Sequence, residues 1–94
     1  MPNLRKAARG KRRWVGVKID TSAVEVDEFF EHVSASVGKL KIAWTSVDGQ
    51  YLILEIRLED YTIAKEAIRV MDHASSITSS GKIRLVKSRI SSLI

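Results

Sequence analysis

The chain contains no cysteine, so a disulfide framework and thiolate metal ligation are both excluded. No apolar run approaches the ~20 residues of a membrane span. The N-terminus is basic but no apolar segment follows it, which is not the pattern of a secretory signal. These absences point to a cytoplasmic protein that does not enter a membrane. The two histidines, His32 and His73, fall on predicted helices without a partner at metal-ligand spacing, so each reads as a surface or boundary residue, and no metal or cofactor is expected. There is no Ser-His-Asp order, no P-loop and no GxGxxG. The chain is expected to carry no catalytic residues of its own.

What the sequence does have is charge, unevenly spread. Seven bases and no acid lie between Met1 and Lys18; five bases and all eleven acids lie between Ile19 and Ser80; four bases and no acid follow Gly81. The segment charges are therefore +7, −6 and +4, consistent with the net +5 of the whole. Two cationic ends flank an acidic middle. If they meet in space, the combined field suits a phosphate backbone. Seven uncompensated bases exceed what solubility requires, so a phosphate backbone is favoured as the partner over a merely solubilising tail.

With 94 residues, the chain has room for a single domain with one small core. Met1–Arg13 shows no hydrophobic period and is expected to be a flexible basic arm, with one α/β domain over 14–94. Trp14–Asp20 alternates as a first strand, with Val15, Val17 and Ile19 inward. Ser22 and Glu25 have capping-box spacing before a helix whose stripe is Val26, Phe29 or Phe30, Val33 and Val37. Gly38 is a natural stop.

Leu40–Leu58 is the centre of the pattern. Asp48-Gly49 predicts a type I′ hairpin between a strand presenting Leu40, Ile42 and Trp44 and one presenting Leu52, Leu54, Ile56 and Leu58. Asp60 then opens a second helix with a stripe of Ala64, Ala67 or Ile68, Met71 and Ala74. By composition Ser75–Gly81 is a loop. Lys82–Lys87 alternates as a last strand, with Ile83 and Leu85 inward, and the apolar tail Ile90–Ile94 has no assigned place.

The order strand, helix, strand, strand, helix, strand is the ferredoxin-like arrangement, an α+β sandwich with a four-stranded antiparallel sheet and two helices on one face. Its other face would be open and moderately basic. The candidate RNA-contacting residues are Arg5, Lys6, Arg9, Lys11, Arg12, Arg13, Lys18, Arg57, Lys82, Arg84, Lys87 and Arg89. Trp14, Tyr51 and Ile53 would form a face for a protein partner. Base stacking of the RNA-recognition type has little support. Tyr51 stands on the third strand, but Ile53 and Gly16 occupy the positions where further aromatics would be expected, so backbone charge should dominate. The phosphatase chemistry this fold can carry is excluded, because Asp20-Thr21-Ser22 offers neither glycine nor arginine to cradle phosphate.

Three passages resemble the small archaeal ribonuclease P protein family called component 2. They are Leu4-Arg5 with Lys11–Ile19, then Gly49–Arg57 with the acidic turn and Ala67-Ile68 after it, and Ile77–Val86 followed by Ser91-Ser92. Ser91-Ser92-Leu93 lacks that family's glycine. The resemblance implies a noncatalytic subunit of a ribonucleoprotein that removes the 5′ leader from precursor tRNA. Its partners would be ribonuclease P RNA, precursor tRNA and a second protein subunit of barrel fold. A homodimer is compatible with the sequence. The strand ending at Glu59-Asp60 and the alanine-rich helix also resemble the small dimerising subunit of the KEOPS tRNA-modification complex, where the role is scaffolding. A small-molecule-binding regulatory module is a third reading of the same fold.

Overall fold

The computed structural model describes residues 11–93; the candidate contacts Arg5, Lys6 and Arg9 lie outside them. Strand β1 (Arg12–Ile19) is central. It pairs antiparallel with β3 (Tyr51–Arg57) on one side and β4 (Ala74–Ser80) on the other, and β2 (Leu40–Thr45) pairs antiparallel with β3. The sheet order is β2-β3-β1-β4. The fold is α+β with a ferredoxin-like order of elements. β1 already begins at Arg12, so Arg12 and Arg13 belong to the sheet and not to the segment expected to precede it.

One face of the sheet carries α1 (Val26–Ser34) and α2 (Tyr61–Arg69). Val15, Val17 and Ile19 of β1 and Leu52, Leu54 and Ile56 of β3 pack there against Phe29, Val33, Val37, Ala64 and Ile68. The alternation in the strands and the spacing of three and four in the helices match this core. At the start of α1 the capping box does not form. The carboxylate of Asp20 accepts the Ser22 hydroxyl (2.5 Å) and the Ser22 amide (3.1 Å). Ser22 is thereby tied into a turn, and the helix starts at Val26, after Glu25, with no side-chain cap. Asp27 and Glu28 still occupy its first turn, where the helix dipole favours them.

Three expectations about the C-terminal third are corrected. The second helix ends at Arg69, so Ala74 belongs to β4. The serine-rich segment is β4 rather than a loop, because pairing along β1 supplies its backbone partners and overrides a composition poor in strand formers. Lys82–Lys87 is not a strand but the start of α3 (Ile83–Leu93). Ile83, Val86 and Ile90 recur at three and four, and that helical stripe wins over the short alternation of Ile83 with Leu85. Leu85 is exposed, and Ile90 of the unassigned tail is buried.

Helix α3 lies on the face of the sheet opposite α1 and α2. Val86 and Ile90 pack with Ile53 there, and Trp14, Trp44, Tyr51, Ile77 and Ile83 surround them. This explains why Val15, Gly16 and Val17 are buried in succession: β1 is covered on both sides. Gly16 is where α3 crosses. A Cβ added there would lie 2.9 Å from Thr78 Cγ2 and 3.1 Å from both Ile90 Cδ1 and Val86 Cγ1.

The hairpin differs in detail from a type I′ turn. Only Gly49 takes a positive φ, 77°. The loop is longer than two residues: the Gly49 amide donates to the Ser46 carbonyl (3.0 Å) and the Ser46 amide to the Tyr51 carbonyl (2.8 Å). Asp48 accepts from the Ser46 hydroxyl (2.7 Å) and the Gln50 amide (3.0 Å), so it tightens the loop without entering the left-handed region. A register shift between Ile42 and Trp44 sets Ile42 opposite Leu54 but Trp44 opposite Ile53. One extra residue moves Trp44 to the α3 side, away from the face of Leu40 and Ile42.

Candidate nucleic-acid interface

The register of the three strands assembles the cationic site. On the α3 side, Arg12 stands opposite Arg57, and Glu55 stands opposite both Trp14 and Lys41. Opposed side chains on one sheet face are within interaction distance of each other. Helix α3 covers the part of this face around Gly16, Ile53 and Trp44. Towards the start of β1 a groove of about 500 Å³ opens, lined by Arg12, Gly38, Lys39, Leu40, Lys41, Glu55 and Arg57.

Four cations and one carboxylate, Glu55, therefore line the groove. Arg12 Nε is 3.2 Å from Glu55, and Arg57 Nη2 is 2.9 Å from Glu59. Both arginines are about half exposed. An exposed pair such as Arg57 with Glu59 is worth roughly 0.2–1 kcal/mol, which a phosphate can readily displace. Lys39 and Lys41 form no ion pair among the described residues. Charge-assisted hydrogen bonds from four such groups are the recurrent chemistry of phosphate binding. Lys39 and Lys41 were not among the sequence candidates: they lie in the segment of net negative charge, and only strand pairing brings them to the arginines.

The remaining candidates divide. Lys11 is exposed just before β1, and its carbonyl accepts the Leu58 amide (3.3 Å). Since Trp14 pairs with Ser80, β1 begins where β4 ends, and Lys82 leaves β4 at the groove end of the sheet. Among the described residues, Lys11, Arg12 and Lys82 therefore lie towards the same end of the sheet. Arg13 points to the opposite face, where its guanidinium lies 5.1 Å from the centre of the Tyr61 ring. Lys65 approaches the same ring at 5.4 Å. Burial alone would raise the Tyr61 phenol, but its 2.7 Å hydrogen bond with Ser79, and Lys65 and Arg13 beside it, hold it below the ordinary value.

Lys18 sits 5.9 Å from the Tyr51 ring and Lys87 5.9 Å from the Trp44 ring. Arg84 and Lys87 are exposed on α3. Arg89 is committed to β4, donating to Thr78 Oγ1 (2.9 Å) and the Ser79 carbonyl (3.2 Å). The proposed protein-partner face of Trp14, Tyr51 and Ile53 is instead occupied by α3, and Ile53 is fully buried. An intramolecular helix fills the surface that the sequence reading left open. Trp14 Nε1 and Arg13 Nε are buried with no hydrogen-bond partner among the described residues.

At the other end of the sheet a hollow of about 430 Å³ is lined by Lys18, Asp20, Gln50, Asp72 and His73, among others. Its charges are mixed. Among the described residues no three histidine, aspartate or glutamate side chains are grouped to hold a metal ion, and no helix is long and apolar enough to cross a membrane. Neither a protein-family model nor a curated protein matches this chain.

Proposed function

We propose that this chain is a noncatalytic RNA-binding protein whose contact surface is the groove of Arg12, Lys39, Lys41 and Arg57, and that it serves as a cytoplasmic subunit of a ribonuclease P-type ribonucleoprotein. The carrying observation is that two arginines and two lysines, from three strands and the turn before β2, line a part of this sheet face that α3 leaves uncovered. A groove of that kind holds a polyanion by its phosphates, with little dependence on sequence. The chain would stabilise the catalytic RNA beside a second protein subunit of barrel fold, and the RNA would cleave the precursor tRNA.

The assignment to ribonuclease P rests on the resemblance in β1 and in β3. The third resembling passage folds as the end of β4 followed by α3, without a strand at Lys82–Lys87, and adds less. A KEOPS-like scaffold ranks lower because a fourth strand is present, at Ala74–Ser80.

The test is RNA binding measured over a salt series. Affinity should fall steeply with salt, since each phosphate neutralised releases counterions. Arg12→Ala should weaken binding to unrelated RNAs alike and reduce the salt slope by about one. Arg13→Ala, which alters the opposite face, should leave both nearly unchanged. Salt-independent binding, or equal losses from the two substitutions, would defeat the groove assignment. Capture from native extract addresses the assembly: a large RNA with a barrel-fold protein supports ribonuclease P, and a kinase-like pair supports KEOPS.

A further inference from the structure

The four cations of the groove account for a phosphate, but the carboxylate among them does not. A phosphate brought to Arg12, Lys41 and Arg57 meets Glu55 as a like charge. The Glu55 side chain is 23% exposed and therefore reachable from the groove. One of its oxygens faces Arg12 Nε at 3.2 Å, and among the described residues no hydrogen bond engages the other. An ionised carboxylate has roughly four acceptor positions, so the pairing with Arg12 leaves most of them free. Glu55 also lies on a strand paired along both edges, between Trp14 and Lys41, which holds its backbone in place.

We infer that Glu55 makes this groove selective for an unpaired guanine, its carboxylate accepting from the base while the surrounding cations hold the adjoining phosphate. The inference rests on the RNA-binding reading above. Guanine is the base that offers a carboxylate two adjacent donors, N1–H and one N2–H. Adenine and cytosine each present an amino group next to an acceptor nitrogen, which the carboxylate repels. Uracil presents one N–H between two carbonyl oxygens. In a duplex these donors are already paired, so the guanine must be in a loop, a bulge or a single strand. A groove of about 500 Å³ is within the range of sites for small ligands, roughly 300–1,000 Å³, and leaves room for one nucleotide.

The competing role for Glu55 is neutralisation of its neighbours Arg12 and Lys41, and this makes a different prediction. The experiment is fluorescence anisotropy at low salt with labelled short oligouridylates carrying one central guanosine, adenosine or cytidine, or none. The full chain should bind the guanosine-containing strand about tenfold more tightly than the others. Glu55→Gln keeps the side chain's size but turns an amide donor towards the groove. It should abolish that preference while binding of the plain oligouridylate holds or tightens. Equal affinities for all four strands, with Glu55→Gln strengthening each alike, would overturn the guanine inference and leave RNA binding intact. Failure of the unmodified chain to bind any strand would overturn both. The comparison among strands needs no variant, so the inference stays open to refutation even if Glu55→Gln folds poorly.

Discussion

Gly16→Val isolates the contact that closes the second face of the sheet. The backbone at Gly16 does not have a positive φ, since among the described residues only Gly49 does. A valine there faces no dihedral penalty, and its cost is steric. Its Cβ alone would approach Thr78 Cγ2 to 2.9 Å and Ile90 Cδ1 and Val86 Cγ1 to 3.1 Å, against 3.4–4 Å for ordinary contact. Two further methyl groups extend from that Cβ. Replacing glycine restricts the unfolded chain and stabilises by about 0.4–1 kcal/mol. Overpacking costs about 1–3 kcal/mol, so it dominates, and a net loss of about 1–2 kcal/mol is expected. For a domain of this size, that lowers Tm by roughly 5–15 °C. Trp14 and Trp44 both border the α3 cluster. Displacement of the helix should therefore shift tryptophan emission to the red and lower amide protection in α3 before protection is lost in β1 or β3. In the background of Ile90→Ala, which removes one of the colliding groups, Gly16→Val should cost less by at least about 0.5 kcal/mol. Unchanged Tm with unchanged α3 protection, or strict additivity with Ile90→Ala, would refute the claim that α3 seats on Gly16.

Two further outcomes test the hairpin and the turns. Gly49→Ala places a Cβ at φ 77° and should destabilise the protein by about 1–2 kcal/mol, read from denaturant unfolding. Asp48 is held below its ordinary value of 3.8 by the Ser46 hydroxyl and then the Gln50 amide. Asp20 is held below the same value by the Ser22 hydroxyl and then the Ser22 amide. A carboxyl depressed in the folded state contributes stability that is full above its unfolded pKa and is lost as pH falls through the folded one. Acidification below about 4 should therefore weaken both turns, and Asp48→Asn together with Asp20→Asn should flatten that acid limb of the stability curve. Carboxyl NMR titrations with midpoints at or above 3.8 would contradict the hydrogen-bonded turns.

Much of the layer of β1, α1, β2, β3 and α2 is present in local pattern. Val15, Val17 and Ile19 alternate, Phe29, Val33 and Val37 recur at helical spacing, and both sets are buried as expected. The C-terminal third resisted the same reasoning. Ala74–Ser80 has almost no hydrophobic period, and it is a strand because β1 offers it an edge. In a six-residue window Lys82–Lys87 alternates like a strand, and only the longer stripe ending at Ile90 shows the helix. Leu58 continues the alternation of β3 but stands exposed, because the chain turns into a 3-10 helix there (Leu58–Asp60).

The sequence by itself determined the α+β class, the two-helix core and the excess of positive charge at both ends, because each depends on residue type and local spacing. Tertiary structure decided which charges act together. Pairing of β1 with β3 and of β3 with β2 joined Arg12 and Arg57 to Lys41 and turned Arg13 to the far side, while the bulge before Trp44 and the missing side chain at Gly16 let α3 close over the rest of the sheet. A face is a property of neighbouring strands in register, and no single segment encodes it.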